Sequence, residues 1–335
     1  MNSPDSPVTN TPAPSDQQLE QLAEQLHTLR QRLGSVLIGQ PQVIDEVLST
    51  LFAGGHVLLE SLPGLGKTLL VRALANCFNG QFKRIQFTPD LMPSDITGHA
   101  IFNFKSEQFN LRQGPVFTHF LLADEINRAP PKTQAALLEV MQERQVTLEG
   151  QTLPVPQPFM VLATQNPIEL EGTYPLPEAQ LDRFMAKIQL SYPGEPEEQK
   201  MVRLVTSAPN ANLLVLNPPP ALLQPVAVLS AQRITAGLPI ADEVLEYAVR
   251  IVRTTRSWPS LRTGAGPRAS IDLIRCARAH ALLRGGSYVL PDDVKDCALM
   301  VLRHRVTITP GLKMEGLDID QVLVQLLEQV AAPRP

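Results

Sequence analysis

The chain has 335 residues, of which 44% are hydrophobic and 19% charged, and its formal net charge at pH 7 is −4. These values are typical of a globular protein with a sizeable core and argue against a general attraction to nucleic acid or an anionic membrane. The three cysteines (Cys77, Cys276 and Cys297) lie far apart in the sequence, which disfavours a disulfide framework or zinc site. The N-terminus lacks the features of a signal peptide, and no apolar run reaches the ~20 residues that span a bilayer. We therefore expect a cytoplasmic protein with no membrane span.

The first part of the chain is predicted to be a tail followed by two helices. Residues 1–15 are rich in Pro, Ser, Thr and Asn, which predicts a disordered tail. Leucines then recur at helical spacing from Leu19 to Leu33, which predicts the packing face of a helix. A second helix is predicted at 41–52. The α/β core is expected to cover residues 16–192.

Five short apolar runs alternate with helical stretches along this core. They cover residues 56–60, 82–87, 120–123, 159–164 and 186–190. The clearest helices between them are predicted at 69–76 and 133–142. This alternation predicts a five-stranded parallel sheet that is covered by helices on both faces.

Two inserts interrupt the alternation, at 102–112 and 146–153. In each insert, apolar and polar residues alternate on both sides of a polar tip, which predicts a β-hairpin. Two surface loops with accidental alternation are the alternative interpretation.

The last third of the chain is predicted to be a separate helical unit. Prolines are dense at 193–226, which predicts an irregular linker at a domain boundary. Beyond the linker, helices are predicted at 241–255, 268–283, 292–303 and 319–330. Residues 227–335 are therefore expected to form a small all-α lid domain.

A glycine-rich turn joins the first strand to a helix and is predicted to bind phosphate. In such a turn, backbone N–H groups and the positive end of the helix dipole point at one site. Lys67 is placed to reach the β- and γ-phosphates of ATP, and the Thr68 hydroxyl is placed to ligate Mg²⁺. The predicted contacts of the nucleotide in this turn are Pro63, Gly64, Leu65, Gly66, Lys67, Thr68 and Leu69.

The turn departs from the usual phosphate-loop pattern at Ser61, where glycine is common. A positive φ at this position would cost serine about 1–2 kcal/mol. We expect the position to tolerate serine, because Gly64 and Gly66 come nearest to the phosphates.

Two further strand ends carry polar residues. The third apolar run delivers Asp124 and Glu125 at its C-terminal end, where ligands collect in an open α/β sheet. Asp124 is predicted to hold the Mg²⁺ shell, and Glu125 to polarise the attacking water. Asn166 follows the fourth run and is placed to orient that water, although alone it would be interpreted as a turn residue before proline.

Three stretches of sequence carry a specific family resemblance. They begin at Ala123, Ala163 and Glu171, and they read ADEINRAPPKTQ, ATQNPI and EGTYPLPEAQLDRF. With these stretches, the chain resembles the MoxR family of AAA+ ATPases from about Leu33 to Val306. Members of that family carry a hairpin inserted in helix 2 and another before the sensor 1 strand, in the order found here.

The resemblance implies roles for further residues. Asn166 would be sensor 1, Arg183 the arginine finger that reaches a neighbouring subunit's site, and Arg268 sensor 2 on the lid. Ile38 and Gly39 would line the adenine pocket. An added guanidinium at phosphoryl transfer is worth about 10³-fold or more in rate. A finger supplied in trans implies a homo-oligomer, a hexamer by resemblance, with ATP and Mg²⁺ as its cofactors.

Two positions depart from, or add to, this scheme. Gly266 stands where family members often have serine, so the loop before Arg268 is expected to be looser. Arg128 is interpreted either as a further inter-subunit arginine or as a surface salt-bridge residue.

Three hypotheses for the function follow. The first is an ATPase that acts as a chaperone-like remodeller or assembly factor for protein complexes, with protein clients and, by resemblance, a von Willebrand factor A domain partner. The second is a nucleic-acid motor, because helicases of the minichromosome-maintenance type share the two hairpins. The third is a nucleotide-gated scaffold with slow turnover.

The hairpin tips discriminate between these hypotheses. A hairpin that tracks phosphates needs Lys or Arg at its tip. The tips at 106–108 and 149–151 are uncharged or acidic, which favours protein remodelling and disfavours nucleic acid. The presence of Glu125 and Arg183 together argues against the scaffold. No aromatic residue of a threading pore loop is identified, so threading of a polypeptide is not predicted.

Overall fold

The computed structural model describes residues 16–62, 64–104, 107–166, 172–207 and 221–333. The predicted tail at 1–15 lies outside the described residues. The chain starts with helices α1 (Asp16–Val36) and α2 (Pro41–Phe52), and the leucine stripe of α1 is buried as predicted.

The strands alternate with helices through the core and are sparse in the lid. In chain order they are β1 (Val57–Ser61), β2 (Phe82–Gln86), β3 (Gly98–Asn103), β4 (Gln108–Gln113), β5 (Phe120–Asp124), β6 (Gln145–Leu148), β7 (Gln151–Pro154), β8 (Met160–Gln165), β9 (Ala186–Leu190), β10 (Leu261–Thr263) and β11 (Thr307–Ile308). The further helices are α3 (Lys67–Cys77), α4 (Pro93–Thr97), α5 (Pro131–Glu143), α6 (Glu178–Leu181), α7 (Glu195–Thr206), α8 (Pro225–Ala236), α9 (Asp242–Thr255), α10 (Pro267–Leu283), α11 (Pro291–Leu302), α12 (Pro310–Met314) and α13 (Ile319–Gln329).

Five strands form one parallel sheet in the order β2-β5-β8-β1-β9, and they correspond to the five predicted runs. Successive side chains of a strand point to opposite faces. In β5, Phe120 and Leu122 accordingly pack with α1–α3 on one face, whereas Leu121 and Ala123 pack with α5 on the other. Burial on both faces explains why these strands are continuous apolar runs.

Both predicted hairpins are present. Strands β3 and β4 pair antiparallel, with Phe102 opposite Phe109, and β6 pairs with β7, with Leu148 opposite Gln151. The two-residue turn of the second hairpin has positive φ at Glu149 (47°) and Gly150 (76°), as turns that match the strand twist require.

The predicted linker at 193–226 is only partly irregular, because α7 lies inside it. Its prolines do not prevent the helix, since Pro196 occupies the first turn, where the missing N–H has no helical partner. Residues 208–220 lie outside the described residues. The limits of 16–192 and 227–335 for core and lid stay a prediction.

The lid is built mainly from α9, α10, α11 and α13, as predicted, and it also contains a short antiparallel pair, β10 with β11. Its apolar side chains are continuous with those of α1, α2 and the sheet in one buried cluster. Within the described ranges, none of the helices is long and apolar enough to cross a membrane.

Candidate nucleotide site

The predicted phosphate loop connects β1 to α3. Gly66 is the N-cap of α3 and adopts a left-handed conformation (φ 83°), so the loop can turn directly into the helix. A Cβ added at Gly64 would meet nothing within 4 Å, so the loop opens onto free space. Lys67 and Thr68 begin α3 and are half-buried, and the Lys67 amine donates to the Ser61 carbonyl at 3.4 Å. The loop therefore has the shape of an anion cradle at a helix N-terminus.

The other residues of the loop are accommodated by the core. Ser61 is the last residue of β1 and pairs with Leu190 of β9, so it has extended backbone and serine is tolerated, as expected. Leu65 and Leu69 are partly buried and pack against the core cluster. Pro63, which is predicted to contact nucleotide, lies outside the described residues.

The segment between α1 and α2 lies beside the phosphate loop. A Cβ added at Gly66 would lie 3.3 Å from Leu37 Cδ1, so the two segments touch. Ile38 and Gly39 line a cavity of about 440 Å³ together with residues of α7. Gly39 has a positive φ (78°), and a Cβ there would come within 2.9 Å of Pro193. The cavity is in the size range of small-ligand pockets.

The Asp124 carboxylate is fixed at the end of β5 by two neighbouring strands. From β8, the Thr164 hydroxyl donates to Oδ1 at 2.6 Å, and from β2, the Arg84 guanidinium donates to Oδ2 at 2.6 Å. The Thr164 hydroxyl also accepts the Glu125 N–H at 2.9 Å. Thr164 and Arg84 were not predicted as site residues, because their contacts depend on strand order. Only Thr164, near the end of β8, offered a signal in the sequence, because Arg84 lies in the middle of β2.

The Glu125 carboxylate is paired within the chain, although its side chain is 29% exposed. Its carboxylate accepts a hydrogen bond from the Gln86 amide at 2.7 Å and pairs with Arg128 at 3.1 Å. Arg128 therefore forms an ion pair within the chain, as one of its two interpretations proposed. Gln86 was not identified from sequence.

The oxygen donors at this edge of the sheet fit Mg²⁺. Mg²⁺ prefers hard oxygen ligands and usually takes one or two protein groups in addition to substrate phosphates. Asp124 supplies a mostly buried carboxylate that already neutralises the half-exposed Arg84, and Thr68 supplies a hydroxyl at the start of α3. These two residues are the ones that would hold the ion.

The sheet order brings three motifs to the same edge. Strands β5, β8 and β1 are adjacent and parallel, so their C-terminal ends lie within about 10 Å. Glu125 follows β5, Asn166 follows β8, and the phosphate loop follows β1. Asn166 therefore follows the strand that lies between β5 and β1, and its role as sensor 1 stays a prediction.

The two remaining predicted arginines lie elsewhere. Arg183 comes just before β9, which runs parallel to β1. It therefore lies near the N-terminal ends of the strands, whereas the phosphate loop lies at their C-terminal ends. A strand of five residues, such as β9, separates these two ends by about 16 Å. No hydrogen bond or ion pair with another part of the described chain involves the Arg183 guanidinium. Arg268 is in the first turn of α10 on the lid, with its Nε 4.0 Å from Asp272 Oδ2.

Comparison with known families defines the class of protein first. The family model of ATPases associated with various cellular activities (AAA) matches residues 56–186, and the AAA lid domain model matches residues 253–326. The two matches correspond to the sheet with its phosphate loop and to the helical lid.

Individual relatives define the family more closely. Chaperone MoxR1 of Mycobacterium tuberculosis is 44% identical over 330 residues, which cover 94% of this chain and 85% of that protein. Protein MoxR of Paracoccus denitrificans is 30% identical, with 83% and 87% covered. A crystal structure from Cytophaga hutchinsonii, described as a candidate ATPase, superposes with a TM-score of 0.86 at 40% identity and covers 94% of this chain and 97% of that one. The chain belongs to the MoxR family of AAA+ ATPases.

One further structure is related by fold alone. A homologue of the minichromosome-maintenance helicase from Methanopyrus kandleri has a TM-score of 0.56 at 18% identity, and it covers 88% of this chain and 63% of that one.

Proposed function

We propose that this protein hydrolyses ATP with Mg²⁺ at a site shared between neighbouring copies, and that it uses the energy to remodel or assemble protein complexes. The observation that carries the proposal is the position of Arg183. Its guanidinium is unpaired within the described chain and lies at the edge of the sheet opposite the phosphate loop. A guanidinium without a partner in the described part of the chain is available to a neighbouring copy, and this supports a site shared between subunits.

The residues at the C-terminal ends of the strands have separate roles in the proposed hydrolysis. The phosphate loop and Lys67 bind the phosphates, and Thr68 and Asp124 hold Mg²⁺, which neutralises phosphate charge when it is bound. Glu125 polarises the attacking water once it has left Gln86 and Arg128, and Asn166 orients that water. Arg183 of the neighbour then stabilises the charge of the transition state.

The proposed action on protein complexes is supported by the first hairpin and by the relatives. Three phenylalanines near its tip are exposed and contact one another: Phe102 lies 5.2 Å from both Phe104 and Phe109 between ring centroids. An exposed apolar patch favours contact with protein. The family includes proteins named chaperones, and we propose a homo-hexamer with protein clients and a partner that carries a von Willebrand factor A domain.

The nucleic-acid motor is the second candidate, because the fold is shared with a minichromosome-maintenance homologue. The aromatic tip could stack on bases, since stacking tolerates any sequence. Its described charged tip residue, Glu107, is acidic and would repel phosphates.

The shared site can be tested by mixing inactive variants. We expect Glu125→Gln and Arg183→Ala each to abolish turnover, and their mixture to recover part of it, because some interfaces then combine an intact Glu125 with an intact finger. Turnover per subunit should rise with protein concentration, and light scattering on the same samples should show that assembly rises with it. Arg253→Ala, an exposed arginine on α9, serves as the matched control and should keep full activity.

Two outcomes would contradict the proposal. If Arg183→Ala stays fully active at all concentrations, the site is not shared. If the mixture stays inactive although both variants assemble, the two residues do not act across one interface.

A further inference from the structure

Three consecutive lid residues form hydrogen bonds with the segment that carries Arg183. Arg303, His304 and Arg305 follow α11, and we call them the lid clamp. The His304 ring donates from Nε2 to the Phe184 carbonyl at 3.0 Å, and Arg303 donates to the Lys187 carbonyl at 3.2 Å. The lid clamp therefore binds the backbone on both sides of the start of β9.

Arg305 makes the most extensive of these contacts. Its side chain is only 2% exposed. Its Nε donates to the Asp182 carboxylate at 2.8 Å, and its Nη2 donates to the Phe184 carbonyl at 2.9 Å. Asp182 and Phe184 are the residues immediately before and after Arg183, so one buried guanidinium holds both neighbours of the proposed finger.

The same guanidinium also contacts the helix that carries Arg268. Arg305 Nη2 donates to Asp272 Oδ2 at 2.6 Å, and Arg268 Nε lies 4.0 Å from the same oxygen. Asp272 lies one turn after Arg268 on α10. A continuous row of charged groups therefore runs from Arg268 through Asp272 and Arg305 to the backbone at Arg183.

We propose that Arg305 is a positioning residue that aims Arg183 at the neighbouring site and ties its position to that of the lid. The inference rests on the proposed function, because it requires Arg183 to act in trans. A guanidinium is a planar fork with donors in fixed directions, so a rotation of α10 relative to the core must shift residues 182–184 or break buried hydrogen bonds. By the family resemblance, Arg268 would sense the nucleotide of its own subunit, whereas the finger would serve the next subunit. The link would transmit the state of one site to the next.

The variant Asp182→Asn tests this link with little risk to folding, since Asp182 is 37% exposed. It keeps the size of the side chain but removes the charge that Arg305 holds. We expect turnover to fall by about tenfold to a hundredfold, the effect of a misplacement near 1 Å. Binding of a fluorescent ATP analogue to the variant's own site should be unchanged. Asp296→Asn, which changes a carboxylate on α11 that is 61% exposed and does not contact the lid clamp, is the matched control and should keep normal turnover.

Mixing experiments separate positioning from general damage. If Asp182→Asn misplaces the finger, Glu125→Gln subunits should restore its turnover, because they supply intact fingers to its intact sites. Arg183→Ala subunits should not restore it, since neither partner then has a working finger. Arg305→Lys should behave in the same way, because an ammonium cannot make the forked contacts.

The outcomes distinguish this inference from the proposed function. If Arg183→Ala is inactive and rescued by Glu125→Gln, but Asp182→Asn has normal turnover or is rescued by Arg183→Ala, the inference alone is overturned. Loss of nucleotide binding in both Asp182→Asn and Arg305→Lys would assign the contacts to fold stability and would also overturn it. If Arg183→Ala is fully active, the shared site itself fails.

Discussion

The backbone of Glu125 adopts a left-handed conformation (φ 57°, ψ 51°) that is unusual for a residue with a side chain. Such a conformation costs roughly 1–2 kcal/mol and persists only where surrounding contacts impose it. Here the Glu125 N–H is held by Thr164 and the carboxylate by Gln86 and Arg128. The carboxylate faces Gln86 of β2. In the proposed mechanism, this position is the resting arrangement of the carboxylate.

The Gln86 contact can be removed without changing the charge at the site. We expect Gln86→Ala to raise basal ATP turnover by up to about tenfold, because a hydrogen bond to a charged group is worth about 1.5 kcal/mol or more and here it favours the resting position. Steady-state turnover at saturating ATP measures the effect. Gln189→Ala, which removes a distant amide that faces Glu60 at 3.5 Å, is the control. A lower turnover in Gln86→Ala would mean that Gln86 instead supports the active position.

At the scale of the element, the hairpin of β3 and β4 exposes several large apolar side chains near its tip. Phe104 is 86% exposed and Phe109 is 69% exposed. The alternation of this insert was predictable from the sequence, whereas an aromatic surface for a client was not. Alternation along a strand shows that its residues point to two faces, but it does not show whether another element covers either face.

This surface gives a prediction at the level of the hairpin. If it binds protein clients, an unfolded polypeptide such as casein should stimulate turnover of the wild type, and the double variant Phe104→Ser/Phe109→Ser should lose that stimulation. Its basal turnover should be unchanged, because exposed side chains add little to stability. Met314→Ser, which removes a side chain that is 89% exposed on the lid, is the control.

Single-stranded DNA provides the opposing test for the hairpin. Stimulation by DNA but not by casein, lost in the same double variant, would favour the nucleic-acid motor over protein remodelling.

Elements with a strong local signal were predictable from the sequence, whereas contacts between elements were not. The five strands and both hairpins are local patterns of burial, and Lys67 with Thr68 follows from a local motif. Arg84, Gln86 and Arg305 lie far in sequence from the carboxylates and carbonyls that they bind, so only the strand order and the docking of the lid bring them there. The helix α7 was missed because prolines that begin helices were interpreted as breakers.

For the molecule as a whole, buried histidines join separate elements of the fold. His56 Nε2 donates to the Met141 carbonyl, and its Nδ1 accepts the Val161 N–H, both at 3.0 Å. Burial lowers the pKa of His56 to about 4. Burial also lowers the pKa of His304 in the lid clamp well below its ordinary value, with nearby Arg305 adding to the effect. Both rings are therefore neutral in the folded protein at pH 7.

The linkage predicts that acid destabilises the fold. In the unfolded chain, His56 gains a proton near pH 6.5, whereas in the folded chain it stays neutral until about pH 4. Protonation therefore favours the unfolded state between these two values. The folded state has its full stability with respect to His56 above pH 6.5 and loses stability as the pH falls towards 4. At about 1.4 kcal/mol for each pH unit between the two pKa values, His56 alone accounts for roughly 3 kcal/mol. Urea unfolding from pH 7.5 to 4.5 should show this loss.

The variant His56→Gln assigns the effect to one residue. Glutamine can make similar hydrogen bonds but does not titrate, so we expect it to be less stable at pH 7.5 and to lose less stability on acidification. His304 is retained in this variant, so part of the dependence should persist. His99→Gln, at an exposed position on β3, should keep the wild-type dependence. An unchanged slope in His56→Gln would show that the acid sensitivity arises elsewhere, with the lid clamp and His304 as the next site to change.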